Sequence, residues 1–346
     1  MIIITGGTGY IGKNIAYYLL TKGEKVVLLD NFFNSSFASL YELFNTLDKK
    51  KISRNNLKFF NLDLTDRKKV NNFFFYELSY IENEMFLSTL KGIIHCAGHK
   101  SVPDSCKNPL EYYRNNLIST INIIECLQIL TKMKKQNMPL IFSSTNTVYG
   151  NNNPSPVNEN MECDVKNISS PYGKTKYMIE EMLKDCSQYV KTISLRYFNP
   201  IGCFENLQEE INEKTTNILP TLVKKIKDNS VFHIFGNDYN TPDGTCIRDY
   251  IDVRDLAKAH LMALNYARNM DTNYDVFNIG TEKGTSVKEL LSTIEKVKNI
   301  KINYEVSERR QEDLAVCYSN SDKARTLLGW QCEFTLEDSI NSIYFL

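Results

Sequence analysis

The sequence has no net charge: 41 lysines and arginines offset 41 aspartates and glutamates over 346 residues. That balance excludes a nucleic-acid binder driven by its overall field. It leaves room for a local basic pocket that takes a phosphorylated small molecule. No stretch approaches the ~20 apolar residues of a membrane span. Met1 to Ile4 runs into Thr5-Gly6-Gly7 after only four apolar residues. That is too short for a signal-peptide core, so a cytoplasmic protein is expected. Nine cysteines, at 96, 106, 126, 163, 186, 203, 246, 317 and 332, form no Cys-x-x-Cys pair. Their odd count and irregular spacing fit reduced thiols better than a disulfide framework. Internal repeats and low-complexity linkers are also missing.

What is present suits an ordinary globular protein. Apolar residues make up 42% and charged residues 24%, enough for a full core without a metal or disulfide staple. At roughly 150 residues per domain, about two domains are expected. The first half alternates short apolar runs (Ile2 to Ile4, Lys25 to Leu29, Leu57 to Asn61, Gly92 to Cys96, Leu140 to Ser143, Thr192 to Arg196) with longer helical stretches. Runs apolar on both faces are the mark of buried parallel strands. Ile11 to Thr21 has helical apolar spacing and Gly23 beyond it as a C-cap; Asn108-Pro109 opens a further helix. Lys68 to Leu90 reads as a long surface helix. The fold class is therefore α/β, a doubly wound parallel (Rossmann) sheet, with residues 1–198 as a nucleotide-binding domain. Beyond residue 200 the alternation stops, and 199–346 reads as a smaller α/β substrate lobe, with segments able to cross between the two. The basic clusters at 49–51 and 132–135 read as solvated faces.

Strand one is followed by Thr5-Gly6-Gly7-Thr8-Gly9-Tyr10-Ile11-Gly12. Glycines in a strand-to-helix turn let the backbone approach a pyrophosphate, which meets the free N–H groups of the helix start. Asp30 ends strand two, eighteen residues past Gly12. A carboxylate there accepts from the adenosine ribose and repels a 2′-phosphate, which favours NAD over NADP. Asp63 follows strand three, where an acid meets the adenine edge or simply forms a turn.

Tyr172 and Lys176 stand one helical turn apart, just after Pro171. A phenol near pKa 10 is a poor base, and a neighbouring ammonium together with a nicotinamide cation would lower it by ~1–3 units. Strand five ends in Ser143-Ser144-Thr145, hydroxyls at a carboxyl end where such sheets bind ligands. Each motif alone is weak; in this order they reinforce one another.

Longer strings point the same way: His95 to Lys100, Pro109 to Tyr113, Asn115-Asn116, Phe142 to Gly150, Arg196 to Pro200, Ile234 to Tyr239, Asp243 to Thr245, Arg248-Asp249-Tyr250, and Arg309-Arg310 with Asp313. On these the chain resembles the UDP-galactose (UDP-glucose) 4-epimerase family of extended short-chain dehydrogenases/reductases. The resemblance implies reversible C4 epimerisation of a UDP-hexose through a 4-keto sugar, with NAD held as a prosthetic group. It implies that Tyr172, Lys176 and Thr145 are catalytic, Thr145 replacing the usual serine. The cofactor contacts it implies are Gly6, Gly9, Tyr10, Ile11, Gly12, Asp30, Asn31, Asn34, Ser35, Asp63, Leu64, Cys96, Ala97, Gly98, Lys100, Asn115, Ser143, Tyr172, Lys176 and Phe198. For the substrate it implies Thr145, Tyr172, Asn199, Asn217, Ile218, His233, Phe235, Arg248, Tyr250, Arg310, Asp313 and Cys317. Arg248 and Arg310 would clamp the diphosphate, Asp313 the uridine ribose, and Phe235 would flank uracil.

Departures from the family pattern matter too. Cys317 takes the place of a size gate, and a small residue there leaves room for a 2-acetamido group, hence UDP-GlcNAc/UDP-GalNAc. Residues 202–216 lack the usual Gly/Pro-rich pattern, which leaves their contacts open, and Gln311-Glu312 replaces the common Glu-Gly. His95 and His99 have ligand chemistry but strand-end spacing, so no metal site is expected. His99 replaces a common apolar residue without an evident reason. His233 and His260 otherwise read as surface or boundary residues. Family members are commonly homodimers, which makes a homodimer the expectation here. The alternatives are another nucleotide-sugar epimerase, a 4,6-dehydratase, which needs an acid pair where this chain has Asn146-Thr147, or a non-catalytic NAD-binding protein.

Overall fold

The first strand, β1 (Ile2–Thr5), shows why the sheet lies where it does: Ile2, Ile3 and Ile4 are wholly buried, so both faces are covered. The structure is a computed structural model that describes residues 1–78, 89–134, 138–212, 215–310 and 313–345. From β1 the chain alternates through α1 (Tyr10–Thr21), β2 (Val26–Asp30), α2 (Phe37–Lys49), β3 (Leu57–Asn61), α3 (Arg67–Asn72), β4 (Gly92–His95), α4 (Val102–Lys107), α5 (Pro109–Lys134), β5 (Leu140–Thr145), α6 (Pro171–Asp185) and β6 (Thr192–Tyr197). The remainder comprises β7 (Asn199–Ile201), α7 (Ile218–Lys227), β8 (Phe232–Phe235), β9 (Ile247–Arg248), β10 (Tyr250–Asp252), α8 (Val253–Asn269), β11 (Tyr274–Ile279), β12 (Thr285–Ser286), α9 (Val287–Lys298), β13 (Tyr304–Ser307), β14 (Val316–Cys317) and α10 (Leu336–Asn341).

Seven strands pair in the order β11-β6-β5-β4-β1-β2-β3, all parallel. The order reverses between β1 and β4, which opens a crevice at the carboxyl ends. β11 comes from the second half of the chain and pairs with β6 from Tyr274 to Ile279. One layer buries Ile15, Leu19, Leu256 and Trp330 against the sheet, and the opposite layer buries Phe73, Ile123, Leu127 and Leu183. Each such side chain contributes about 1.5–3 kcal/mol. Gly23, at φ 77°, ends α1 where only a residue without Cβ sits comfortably.

A separate core joins α7, β8, α9 and α10 through Leu222, Ile234, Leu290, Ile294 and Ile340. Small sheets frame it: β7 with β10, β8 with β13, and β9 between β12 and β14.

Two sequence expectations need correction. Over Lys68 to Leu90 the inner face is not at the surface, because Val70, Phe73, Phe74 and Leu78 enter the main core. Residues 79–88 of that stretch lie outside the described residues, as do 213–214 of the 202–216 loop and the Gln311-Glu312 pair. His260 is not a boundary residue but fully buried, its Nδ1 2.8 Å from the Leu256 carbonyl.

Candidate active site

Two cavities meet above the sheet. The first, about 670 Å³, runs along the crevice. Its floor is the β1–α1 turn with Gly6, Gly9, Tyr10, Ile11 and Gly12. A Cβ on Gly12 would stand 2.2 Å from the Gly6 carbonyl oxygen, and one on Gly6, already at φ 64°, 2.8 Å from the Ala97 nitrogen. The turn is therefore closed to side chains, and Gly9 caps α1 without a side-chain bond. The N–H groups of the first helical turn are left for an anion.

Asp30, Asn31, Asn34 and Ser35 line one side of this cleft. The Asp30 carboxylate accepts from the Thr8 amide at 3.1 Å and the Phe32 amide at 2.8 Å. Held so, it is aimed at vicinal hydroxyls and would oppose a phosphate. Asp63 and Leu64 stand further along, with Cys96, Ala97, Gly98, Lys100 and Asn115 opposite. Asp63 also makes the turn: it accepts from the Thr65 amide and hydroxyl at 2.8 and 2.7 Å. Burial pushes its carboxyl up, but bonds from Thr65 and Asn31 outweigh this and hold it below its ordinary value. The site thus fits NAD: a glycine cradle for the diphosphate and a fixed carboxylate for the ribose.

The second cavity, about 730 Å³, holds the residues expected at the substrate. Asn199, Asn217, Ile218, His233, Phe235, Arg248, Tyr250, Arg310, Asp313 and Cys317 all line it; Phe198, expected at the cofactor, lines this cavity and not the first. Arg248 Nη1 donates to the carbonyls of Leu314 (2.6 Å) and Ile247 (2.9 Å), while Nη2 reaches Asp313 only at 3.4 Å. Its orientation is fixed by neutral carbonyls, so most of its charge remains for an anion. The Arg310 guanidinium lies 3.7 Å from the Phe235 ring centroid, an arrangement that presents a cation and an aromatic face together. Cys317 is buried and accepts from the Asn146 amide at 3.0 Å.

Ser143, Thr145, Tyr172 and Lys176 line neither cavity, but Ser143 and Thr145 touch residues that do. The Ser143 hydroxyl lies 3.0 Å from Cys96 Sγ in the first cavity's wall. The Thr145 hydroxyl accepts from the Thr147 amide and hydroxyl, and Thr147 lines the second cavity. Helix α6 places the phenol. Ser170 caps it through the Gly173 amide at 3.1 Å, and Pro171 occupies its first turn.

The electrostatics differ from the sequence expectation. Burial pushes the Tyr172 phenol up to about 12, and its bond with Thr145 only partly pulls it back. Burial pushes the Lys176 ammonium down to about 8, against the attraction of Cys96 and Glu180. The Lys176 Nζ donates to the Ser143 carbonyl at 2.7 Å. Among the protein's own described groups only the Thr145 hydroxyl pulls the phenol down, and burial outweighs it.

Several contributors escaped the sequence reading. Asn116 bonds the His99 amide, the His99 carbonyl and Thr175, tying the β4 loop to α6. His99 now has a place: its ring lies 4.0 Å from Phe33, 5.4 Å from Tyr112 and 3.5 Å from the Glu111 carboxylate. His95 is core, between the hydroxyls of Thr5 and Thr120. Glu209 bonds both Lys100 and Asn217. Asn116, His95 and His99 lay in strings the sequence had already brought forward, without these roles; Glu209 carried no signal.

Comparison with known proteins gives one answer. The model of a family described as the NAD dependent epimerase/dehydratase family matches residues 2–280. A UDP-glucose 4-epimerase of Haemophilus influenzae is 39% identical over 343 residues, covering 97% of this chain and 94% of that protein. Among solved structures, the UDP-glucose 4-epimerase of Stenotrophomonas maltophila, with bound NAD and formylated UDP-arabinopyranose, superposes with a TM-score of 0.85 at 29% identity, covering 99% and 96%. The Bifidobacterium longum enzyme, in complex with NAD+ and UDP, superposes with a TM-score of 0.83 at 33% identity, also covering 99% and 96%.

Proposed function

This chain belongs to the NAD dependent epimerase/dehydratase family, and on that premise we propose that it interconverts UDP-galactose and UDP-glucose at C4. What supports the reading is a chain of contacts: Lys176 donates to the Ser143 carbonyl, Ser143 touches Cys96 of the NAD cleft, and Thr145 accepts from Thr147 of the cavity that bears Arg248 and Arg310. Bound NAD supplies a reversible hydride acceptor. Thr145 holds the sugar 4-oxygen by its hydroxyl, and Tyr172 takes the 4-hydroxyl proton and later returns it. Lys176 favours the phenolate electrostatically. Arg248 and Arg310 hold the diphosphate while the 4-keto sugar turns to present its other face. Asp313 binds the uridine ribose and Phe235 flanks the base. Asn115, Lys100, Ser143 and the glycine turn hold NAD; Asn199, Asn217, Ile218, His233 and Tyr250 shape the sugar-nucleotide cavity.

The finer readings rest on particular features. The buried, small Cys317 supports activity on UDP-GlcNAc and UDP-GalNAc as well. The apolar outer stripe of α5 supports a homodimer. The irregular cysteine spacing supports a cytoplasmic setting. Among the described residues no helix is long and apolar enough to cross a membrane.

Proton NMR of the purified protein with UDP-galactose and UDP-GlcNAc, without added NAD, tests the assignment. Appearance of UDP-glucose is expected, with UDP-GalNAc beside it; no change in either sugar, even after NAD is added, overturns the reading. Cys317→Tyr should abolish the N-acetyl activity and spare UDP-galactose, and loss of both would sink the gate.

A further inference from the structure

The 202–212 stretch departs from the family pattern, and the structure shows what it does. It is fastened to α1 at three points. Tyr10 Oη donates to the Gly202 carbonyl at 2.6 Å, Asn14 donates to the Leu207 carbonyl at 2.8 Å, and the Phe204 amide donates back to Asn14 at 2.9 Å. Leu207 is wholly buried, and Phe204 packs on the Tyr17 ring at 5.2 Å. From that anchor the stretch runs along the dinucleotide cleft, where Glu209 lines the wall. The Glu209 side chain is 13% exposed and ion-pairs with Lys100, on the opposite rim beyond β4. The same carboxylate accepts from the Asn217 amide at 2.8 and 3.1 Å. Lys100 lines both cavities, and Asn217 lines the second.

A carboxylate in the wall of a diphosphate cleft is unfavourable unless a cation neutralises it. Lys100 does so, and in doing so closes a bridge from α1, across the cleft, to the β4 rim. We propose that Glu209 is a positioning residue that locks this stretch over the dinucleotide, so that the cofactor is retained from one turnover to the next. Through Asn217 the same carboxylate sets one wall of the sugar-nucleotide cavity. Cofactor release then requires breaking the Lys100–Glu209 pair, and the two sites are coupled through one side chain. The inference rests on the NAD-dependent epimerase reading above.

Two variants separate the two bonds. Glu209→Gln removes the charge and keeps an acceptor for Asn217; Glu209→Ala removes both. The probe is isotopically labelled NAD chased into the purified holoenzyme, with protein-bound dinucleotide followed by mass spectrometry. Exchange in Glu209→Gln should be about fivefold faster than in wild type at 0.1 M salt. The difference should shrink toward 1 M salt, where the Debye length falls from ~10 to ~3 Å; a merely structural role would not follow salt in this way. Glu209→Ala should in addition raise the KM for UDP-galactose several-fold over that of Glu209→Gln, which keeps the acceptor for Asn217. Should the alanine variant not fold, the glutamine variant carries the test. A wild type that epimerises UDP-galactose but exchanges NAD as fast as Glu209→Gln overturns the lock alone. A wild type that neither holds NAD nor epimerises overturns the functional reading and the lock with it.

Discussion

Lys176 is buried and Tyr172 half-buried, and the loss of water works on them in opposite directions. The phenol stands near 12 and the ammonium near 8, so each is biased toward its neutral form. Tyr172→Phe removes the proton carrier and leaves the ring packing intact. It should lower kcat by ~10²–10⁴ without loss of bound NAD, measured by NMR rate and by dinucleotide content. Retained activity would exclude the phenol as the base. Lys176 should also be visible in stability. Below pH 8 it is charged in both the folded and unfolded states, and the full cost of burying the charge is present. Between about 8 and the ordinary 10.5 it is neutral when folded and charged when unfolded, so stability rises with pH across that window. Above it the cost is gone. In the NAD-free protein, Lys176→Met should therefore melt a few degrees higher than wild type at pH 7. The gap should close as pH approaches 10, and a gap independent of pH would rule out charge burial as its origin.

At the scale of elements, the catalytic helix is held to the sheet by charge. Glu180, on α6 one turn beyond Lys176, receives Arg196 of β6 at 2.6 Å and the Ser144 hydroxyl of β5. Both members of the pair are nearly inaccessible, at 3% and 7%. Glu180→Ala strands the guanidinium, whose Nη1 has no geometric hydrogen-bond partner among the described residues. It should cost about 3–5 kcal/mol in denaturant unfolding. The double variant Glu180→Leu/Arg196→Met should recover most of that, because two neutral groups leave no orphaned charge; a double variant as unstable as the single would refute the charge argument. These elements also show what the sequence disclosed. β1, β2 and β4 to β6 were legible because strands buried on both faces read as unbroken apolar runs, and the glycine turn was legible because its chemistry is local. The place of β11 was not, since Tyr274 to Ile279 joins β6 from an irregular half of the chain and no periodicity names a distant partner. Glu209 was hidden for the same reason, 109 residues from Lys100. The phenol's upward shift was missed because spacing reveals a nearby ammonium but not the burial that outweighs it.

At the scale of the whole molecule, α5 is apolar on two sides. Its inner face, with Ile123, Ile124, Leu127 and Leu130, fills the core. Its outer face carries a second stripe at 110, 118, 121, 129 and 133, spaced by helical turns, with Leu110 73% and Met133 61% exposed. Met178 of the neighbouring α6 adds to it. An isolated exposed leucine needs no partner, whereas a stripe along a 26-residue helix offers a surface on which a second copy could pack. Two such helix pairs packed face to face would bury the stripe isologously, each copy presenting the same residues to the other. A stable pair needs about 800 Å² from each partner. Sedimentation equilibrium should therefore give twice the 40.0 kDa chain mass for the wild type. Ile121→Glu with Ile129→Glu puts two charges at the middle of the stripe and should return the mass to one chain. Both sites face away from the cavities, so bound NAD should persist in the monomer. A wild type that sediments as a single chain, or a variant that stays paired, would place the contact elsewhere or abolish it.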